Sequence, residues 1–269
     1  MQHELTQQVL GLVANVTGVS ALLVYFGWRR TETQAHLMGF DESLLSMSTQ
    51  DYLLRSIGPL LPTLLTVGGA GLLWVWADRW IRRSIEVRGW SVRAWRVLVI
   101  AVALALPLTV RLSAPWWIET AFVVYPLAIG AGVLLLVYAG SLGGATENRM
   151  LAKVFALLIV ALCLFWSASN RAEVVGGQVA DMYAGGVSSL IRVTVYSSEQ
   201  LYLDGPGVTE EELTGEHAAY RYRYRGLRLL DHIGQRYFLV SDGWSPQRGV
   251  VIALSDRDGL RFEFSSGNS

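Results

Sequence analysis

Long apolar runs flank an arginine-rich segment, Asp78 to Arg96, and no other feature restricts this chain so much. The segment holds Arg79, Arg82, Arg83, Arg88, Arg93 and Arg96 against only Asp78 and Glu86. Such a pattern reads as two membrane spans joined by a loop that stays in the cytoplasm, because Lys and Arg near span ends set orientation. Trp80, Ile81, Ile85, Val92 and Trp95 recur among the arginines at roughly helical spacing. The loop is therefore expected to lie as an amphipathic helix on anionic headgroups.

Composition agrees with a membrane protein. Hydrophobic residues make up 52% of the 269, charged residues 16%, and mean hydropathy is +0.36; soluble domains carry roughly 25% charged residues. Formal net charge is +0, which gives no basic field for nucleic acid. The lone Cys163 sits in an apolar run, so neither an intramolecular disulfide nor a cysteine-based zinc site is available.

Taken in order, the chain suggests a helical transmembrane domain over 1–170 with five spans, near 9–28, 57–77, 97–112, 117–138 and 152–169. The first has no basic leader or small-residue cleavage site, so it reads as a retained helix. An outer helical hairpin occupies 29–56. There Gly39 is a plausible helix stop, Asp41 caps a short turn, and Ser48-x-x-Asp51 has capping-box spacing. Pro59 and Pro62 fall early in the second span, Pro107 in the third and Pro126 in the fourth. Ala128-x-x-x-Gly132 offers a small-residue packing face. Placing the cytoplasmic loop 78–96 inside leaves eight basic residues in the inner connections, counting Arg149 and Lys153. Four lie outside: Arg29, Arg30, Arg55 and Arg111. That bias puts the N-terminus in the cytoplasm and the C-terminal region outside it. If the third and fourth runs both only dip into the bilayer, the count becomes three and the assignment survives; if only one of them spans, the C-terminal region moves inside.

A Gly/Ala-rich neck covers 171–190 and can extend the fifth helix. From Ile191 the apolar period changes to two, with turn signals at Gly205-Pro206-Gly207, Gly234 and Asp256 to Gly259. Residues 191–269 are expected to form about six short antiparallel strands, a small extracytoplasmic barrel or sandwich.

Chemistry is sparse. The spans carry almost no ionisable groups, which argues against a pump or a proton-coupled transporter. The outer hairpin gathers His36, Asp41, Asp51 and Arg55. Two carboxylates and an imidazole suit metal binding or acid–base work; capping and surface ion pairing explain the same residues. The repeat Tyr220-Arg-Tyr-Arg-Tyr-Arg225 puts Arg221, Arg223 and Arg225 on one face of a strand. That stripe suits an anionic envelope polymer or lipid headgroups, or is the solvated face of a strand whose tyrosines are core, paired with the acidic loop Glu210 to Glu212. No cofactor motif is present.

Tyr25-Phe-Gly-Trp28, Gly39-Phe-Asp41, Ser48-Thr-Gln-Asp-Tyr52, Val193-Thr-Val-Tyr-Ser197, Leu203-Asp-Gly-Pro-Gly-Val208 and Tyr222 to Leu230 resemble a family of actinobacterial multi-pass membrane proteins without an assigned activity. The resemblance covers both halves. It implies a bacterial plasma membrane and no functional residue.

The sequence thus leads to a non-enzymatic integral membrane protein that presents a β domain to an envelope partner, a protein or an anionic polymer. Its alternatives are a passive channel or transporter subunit with the hairpin as a lid, and an enzyme acting through the hairpin on a lipid-linked substrate.

Overall fold

The computed structural model describes the backbone of residues 2–88, 91–142, 149–214, 219–245 and 249–266; side chains at 2–16, 82, 84–88, 142 and 149 lie outside that description. Five α-helices come first: α1 (Gln2–Leu37), α2 (Thr49–Arg88), α3 (Val92–Ser113), α4 (Ile118–Leu142) and α5 (Arg149–Gly185). Six strands follow: β1 (Arg192–Ser197), β2 (Thr209–Glu212), β3 (Tyr222–Ile233), β4 (Arg236–Ser241), β5 (Val251–Ser255) and β6 (Leu260–Ser265). Among the described residues four segments are long and apolar enough to cross a membrane: Thr49–Ile81, Val92–Trp116, Ile118–Ser141 and Met150–Gly185. The remaining expected span, 9–28, falls within α1, and the side chains of its first half lie outside the described set. Residues 143–148, in the connection between the expected spans 117–138 and 152–169, also lie outside the described residues.

The expected surface helix over 78–96 takes another form. α2 runs unbroken to Arg88, and Ser91 starts α3 by accepting the Ala94 amide at 3.1 Å. Through Gly176 and Gly177, α5 continues to Gly185, so most of the neck 171–190 extends the fifth helix.

The chain divides into two compact units, Met1–Arg55 with Val175–Ser269, and Ser56–Val174. In the second unit α3 packs on α4 through small residues. Gly132 brings its backbone so close to Ala103 that a Cβ there would sit 2.7 Å from the Ala103 carbonyl oxygen. That carbonyl is the one Pro107 deprives of a helical donor, since proline lacks the N–H that would reach back four residues. Pro126 does the same to Phe122, and there Asn170 on α5 donates Nδ2 to the Phe122 oxygen at 2.7 Å. Ser167 adds a bond from Oγ to the Val123 carbonyl at 2.8 Å. In a hydrocarbon medium such freed carbonyls need a donor from a neighbouring helix.

The first unit holds the sheet. Its strand order is β5-β4-β3-β1-β6, with β2 also paired to β3, and all the pairings are antiparallel. β3 is long because Gly226, at φ +79°, bulges without ending the strand. A Cβ there would meet the Gly207 carbonyl oxygen at 2.0 Å, so only glycine fits. The two faces of the sheet are buried differently. Val193, Val195, Tyr224, Leu227 and Leu239 form a core on one face, joined by Phe262 and Leu254. Tyr237 of β4 stacks at 4.3 Å on Phe262 of β6 although two strands lie between them, so the sheet curls over this core.

The other face is covered by helical residues. Leu230, Ile233, Phe238, Val240 and Trp244 share one core with Met38 and Leu45 of the hairpin and with Ala180 and Val187 near the end of α5. The close approach of α1 to its neighbours depends on glycine. A Cβ on Gly27 would meet the Tyr52 carbonyl oxygen at 1.9 Å, and one on Gly176 the Arg30 carbonyl oxygen at 2.4 Å.

β2 departs from the sequence expectation. Thr209–Glu212 is fully exposed and has no apolar alternation, yet it forms a strand against Tyr222–Arg225. Leu201 and Leu203, which continue the alternation after β1 in sequence, are loop residues packed on the curled face.

Candidate functional site

The hairpin is built by capping. Asp41 accepts the Ser43 amide at 2.8 Å and starts a short 3-10 turn, Glu42–Leu45. The Ser43 side chain first, and this amide after it, hold the Asp41 carboxyl below its ordinary value. Asp51 accepts from the Ser48 amide at 2.9 Å and from its hydroxyl at 2.8 Å, while the Asp51 amide donates to Ser48 Oγ at 3.3 Å. The reciprocal bonds expected of a capping box are all there.

The four candidate residues of the hairpin are not brought to one point. His36 and Asp41 share the rim of an open depression of about 610 Å3, together with Trp28, Glu32, Gly39, Phe40 and Glu42. Its carboxylates have partners: Glu32 takes Arg29 at 2.5 Å, Glu42 takes the Trp28 indole N–H at 2.5 Å, and Asp41 holds its cap. Asp51 is committed to its own cap, and Arg55 pairs instead with Asp231 of β3. Among the described residues no group of three or more His, Cys, Asp or Glu is placed to hold a metal ion.

Arg55 belongs to a cluster that sequence reading did not assemble. Arg30 of α1 donates Nη1 to the Arg55 carbonyl oxygen at 3.0 Å, and the Arg55 guanidinium pairs with Asp231. Burial pulls the Arg30 guanidinium below its ordinary value and the neighbouring Arg55 charge adds to this, while Tyr183 and Asp231 oppose them. The cluster thus links α1, the start of α2, the end of α5 and the sheet. A second link lies nearby in sequence. Arg228, 5% exposed, pairs with Asp242 and donates to the carbonyls of Ser188 at 2.7 Å and Leu190 at 2.9 Å. The sequence marks each link only by a charge, Arg228 or Asp231, inside the largely apolar stretch Leu227 to Ile233, and does not mark its partner.

One carboxylate within the sheet, Glu211, meets two arginines of the stripe. Arg223 donates Nε to Glu211 at 3.1 Å and pairs with it through Nη2 as well; Arg225 lies 3.9 Å from the same carboxylate. The Arg223 bond lowers the Glu211 value, and Glu211 raises that of Arg223. Arg221 is exposed. On the opposite face Tyr224 is fully buried and its hydroxyl accepts the Leu201 amide at 2.7 Å. Of the loop arginines, Arg79, Arg83, Arg93 and Arg96 are exposed, and the side chains of Arg82 and Arg88 lie outside the described set.

These features define a class: a chain with four helices of membrane-spanning length and apolarity, followed by an antiparallel sheet whose one face packs on a helical hairpin. Comparison with protein-family models, with curated proteins and with solved structures returns no match.

Proposed function

We propose that this is a multi-pass protein of a bacterial plasma membrane that holds a rigid hairpin–sheet head outside the cytoplasm for binding to an envelope partner, without catalysis of its own. The observation that carries this reading is the core shared by Met38 and Leu45 of the hairpin with Leu230 and Phe238 of the sheet. Residues that share a core must lie on the same side of a bilayer. From the hairpin, α2 crosses towards the arginine-rich loop, α3 and α4 form a pair, and α5 returns. Four crossings bring the sheet back to the hairpin's side. If only one of α3 and α4 crossed, the two would be separated by the membrane. The shared core therefore supports crossing by both or by neither, the length and apolarity of α3 and α4 favour crossing by both, and the arginine bias supports a cytoplasmic loop and an external head. Whether α1 also crosses changes only the position of the N-terminus.

The head is fastened within itself. One face of the sheet is covered by the hairpin and by the end of α5, and the Arg55–Asp231 pair ties β3 to the first turns of α2. A fastened module suits recognition, because little ordering is left to pay for on binding.

The test is recovery of a partner from native membranes. Tagged full-length protein is cross-linked, solubilised in detergent and purified. A stoichiometric envelope component is expected, its recovery falling when exposed head residues such as Tyr202 and Val250 become lysine and holding when Arg79 and Arg83 become glutamine. Recovery indifferent to the head substitutions contradicts the reading. Removing residues 191–269 is a poor test, since it strips the cover from Met38 and Leu45.

A further inference from the structure

Among the described residues three strands have a single partner, β2, β5 and β6, and they are built differently; β2 is acidic, with Glu210, Glu211 and Glu212. β6 carries Arg261 and Glu263, which pair at 2.9 Å. Charges on an outer strand discourage pairing with another chain. β5, at the opposite edge, reads Val251-Ile252-Ala253-Leu254-Ser255, with neither charge nor proline. Among the described residues its only strand partner is β4. Beside it runs an open groove of about 690 Å3, lined by Tyr202, Leu203, Pro206, Val250 and Ile252 with Asp204 as the charged side chain.

We propose that a second copy of this chain pairs with β5 edge to edge and antiparallel, about a two-fold axis at Ala253. The inference rests on the reading of the head as an exposed binding module and names its partner. Two-fold pairing sets each residue against an equivalent one: Ala253 faces Ala253 of the other copy, and Ile252 faces its Leu254. A strand paired with itself must avoid like charges in opposed positions, and β5 has no charge to oppose. Ile252 and Leu254 lie on the curled face of the sheet, both partly buried against its core. The Leu254 of the other copy therefore enters the groove at Ile252. Ala253 is exposed and small, so the strands can close at the axis. Anchorage in one bilayer raises the effective concentration of the two heads.

The test uses the full chain in native membranes with Cys163→Ala as background. Directly opposed residues of an antiparallel pair have Cα atoms about 4.5–5.5 Å apart, within the roughly 4.4–6.8 Å a disulfide spans. Ala253→Cys is expected to give a disulfide-linked dimer on mild oxidation, and Glu263→Cys on β6 far less. Adding Ile252→Lys to Ala253→Cys should remove most of the dimer band while monomer yield holds. The proposal is overturned if Glu263→Cys cross-links as well as Ala253→Cys, if Ala253→Cys links to a different protein, or if it gives no dimer and the wild-type chain is monomeric by light scattering in detergent. Each of those results leaves the partner-recovery experiment to judge the head's function separately.

Discussion

Arg30 donates to the Arg55 carbonyl oxygen at 3.0 Å, and that carbonyl is the one Pro59 leaves without a helical donor. An interior proline removes the bond from its own nitrogen to the carbonyl four residues earlier. The same substitution of donors recurs at Pro126, where Asn170 serves Phe122. Two breaks in helical bonding thus become two links between helices, one in each compact unit.

The Arg30 link predicts a coupled pair. Arg30→Met should cost about 1–3 kcal/mol, as for a hydrogen bond from a charged group. Pro59→Ala restores the helical N–H, so the cost of Arg30→Met should shrink in that background. Thermal unfolding of the four proteins in detergent gives the coupling. Additive costs would mean that Arg30 does not act through the freed carbonyl.

Asn170→Leu should destabilise the helical unit by about 0.5–2 kcal/mol, the range of polar contacts between helices in membranes. Pro126→Ala should reduce that loss. The readout is again a double-mutant cycle, now followed by a probe on α4.

Gly226→Ala should disrupt the sheet. The left-handed backbone costs a non-glycine residue about 1–2 kcal/mol, and the clash with the Gly207 oxygen adds to it. Gly234, at φ +61° with nothing within 4 Å of a built Cβ, should lose only the first term when changed to alanine. Limited proteolysis of the head should separate the two variants, with Gly226→Ala cleaved much faster.

Acid should loosen β2 before the rest of the sheet. Arg223 holds the Glu211 carboxyl below its ordinary value. A depressed carboxylate contributes stability in full above its unfolded value and loses it as pH falls through the folded one. Amide exchange at Thr209–Glu212 should therefore quicken below the ordinary glutamate range. Glu211→Gln should exchange fast at every pH, with the pH step gone.

Much of the fold is legible in the sequence, for local reasons. The capping box at Ser48 and Asp51, the turn opened by Asp41, and the packing face at Ala128 and Gly132 all depend on residues a few positions apart. β2 is hidden because its pairing comes from Glu211 meeting Arg223 rather than from an apolar pattern. The Arg30–Arg55–Asp231 cluster is hidden because Asp231 lies 176 positions from Arg55 and nothing local marks them as partners. The prolines were visible, but not which side chains answer them. His36, Asp41, Asp51 and Arg55 lie in one stretch of sequence, but capping and pairing use them one by one, so of the four only His36 and Asp41 share a depression.

Sidedness is the claim on which the account depends, and cysteine accessibility tests it most directly. In a Cys163→Ala background, Ser43→Cys marks the hairpin, Asp258→Cys the sheet and Arg93→Cys the arginine-rich loop, all three at exposed positions. With a membrane-impermeant maleimide on intact cells, Ser43→Cys and Asp258→Cys should label together, and Arg93→Cys only after permeabilisation. Labelling of Ser43→Cys and Asp258→Cys from opposite sides, or of Arg93→Cys from the same side as Asp258→Cys, would contradict the four crossings and the external head.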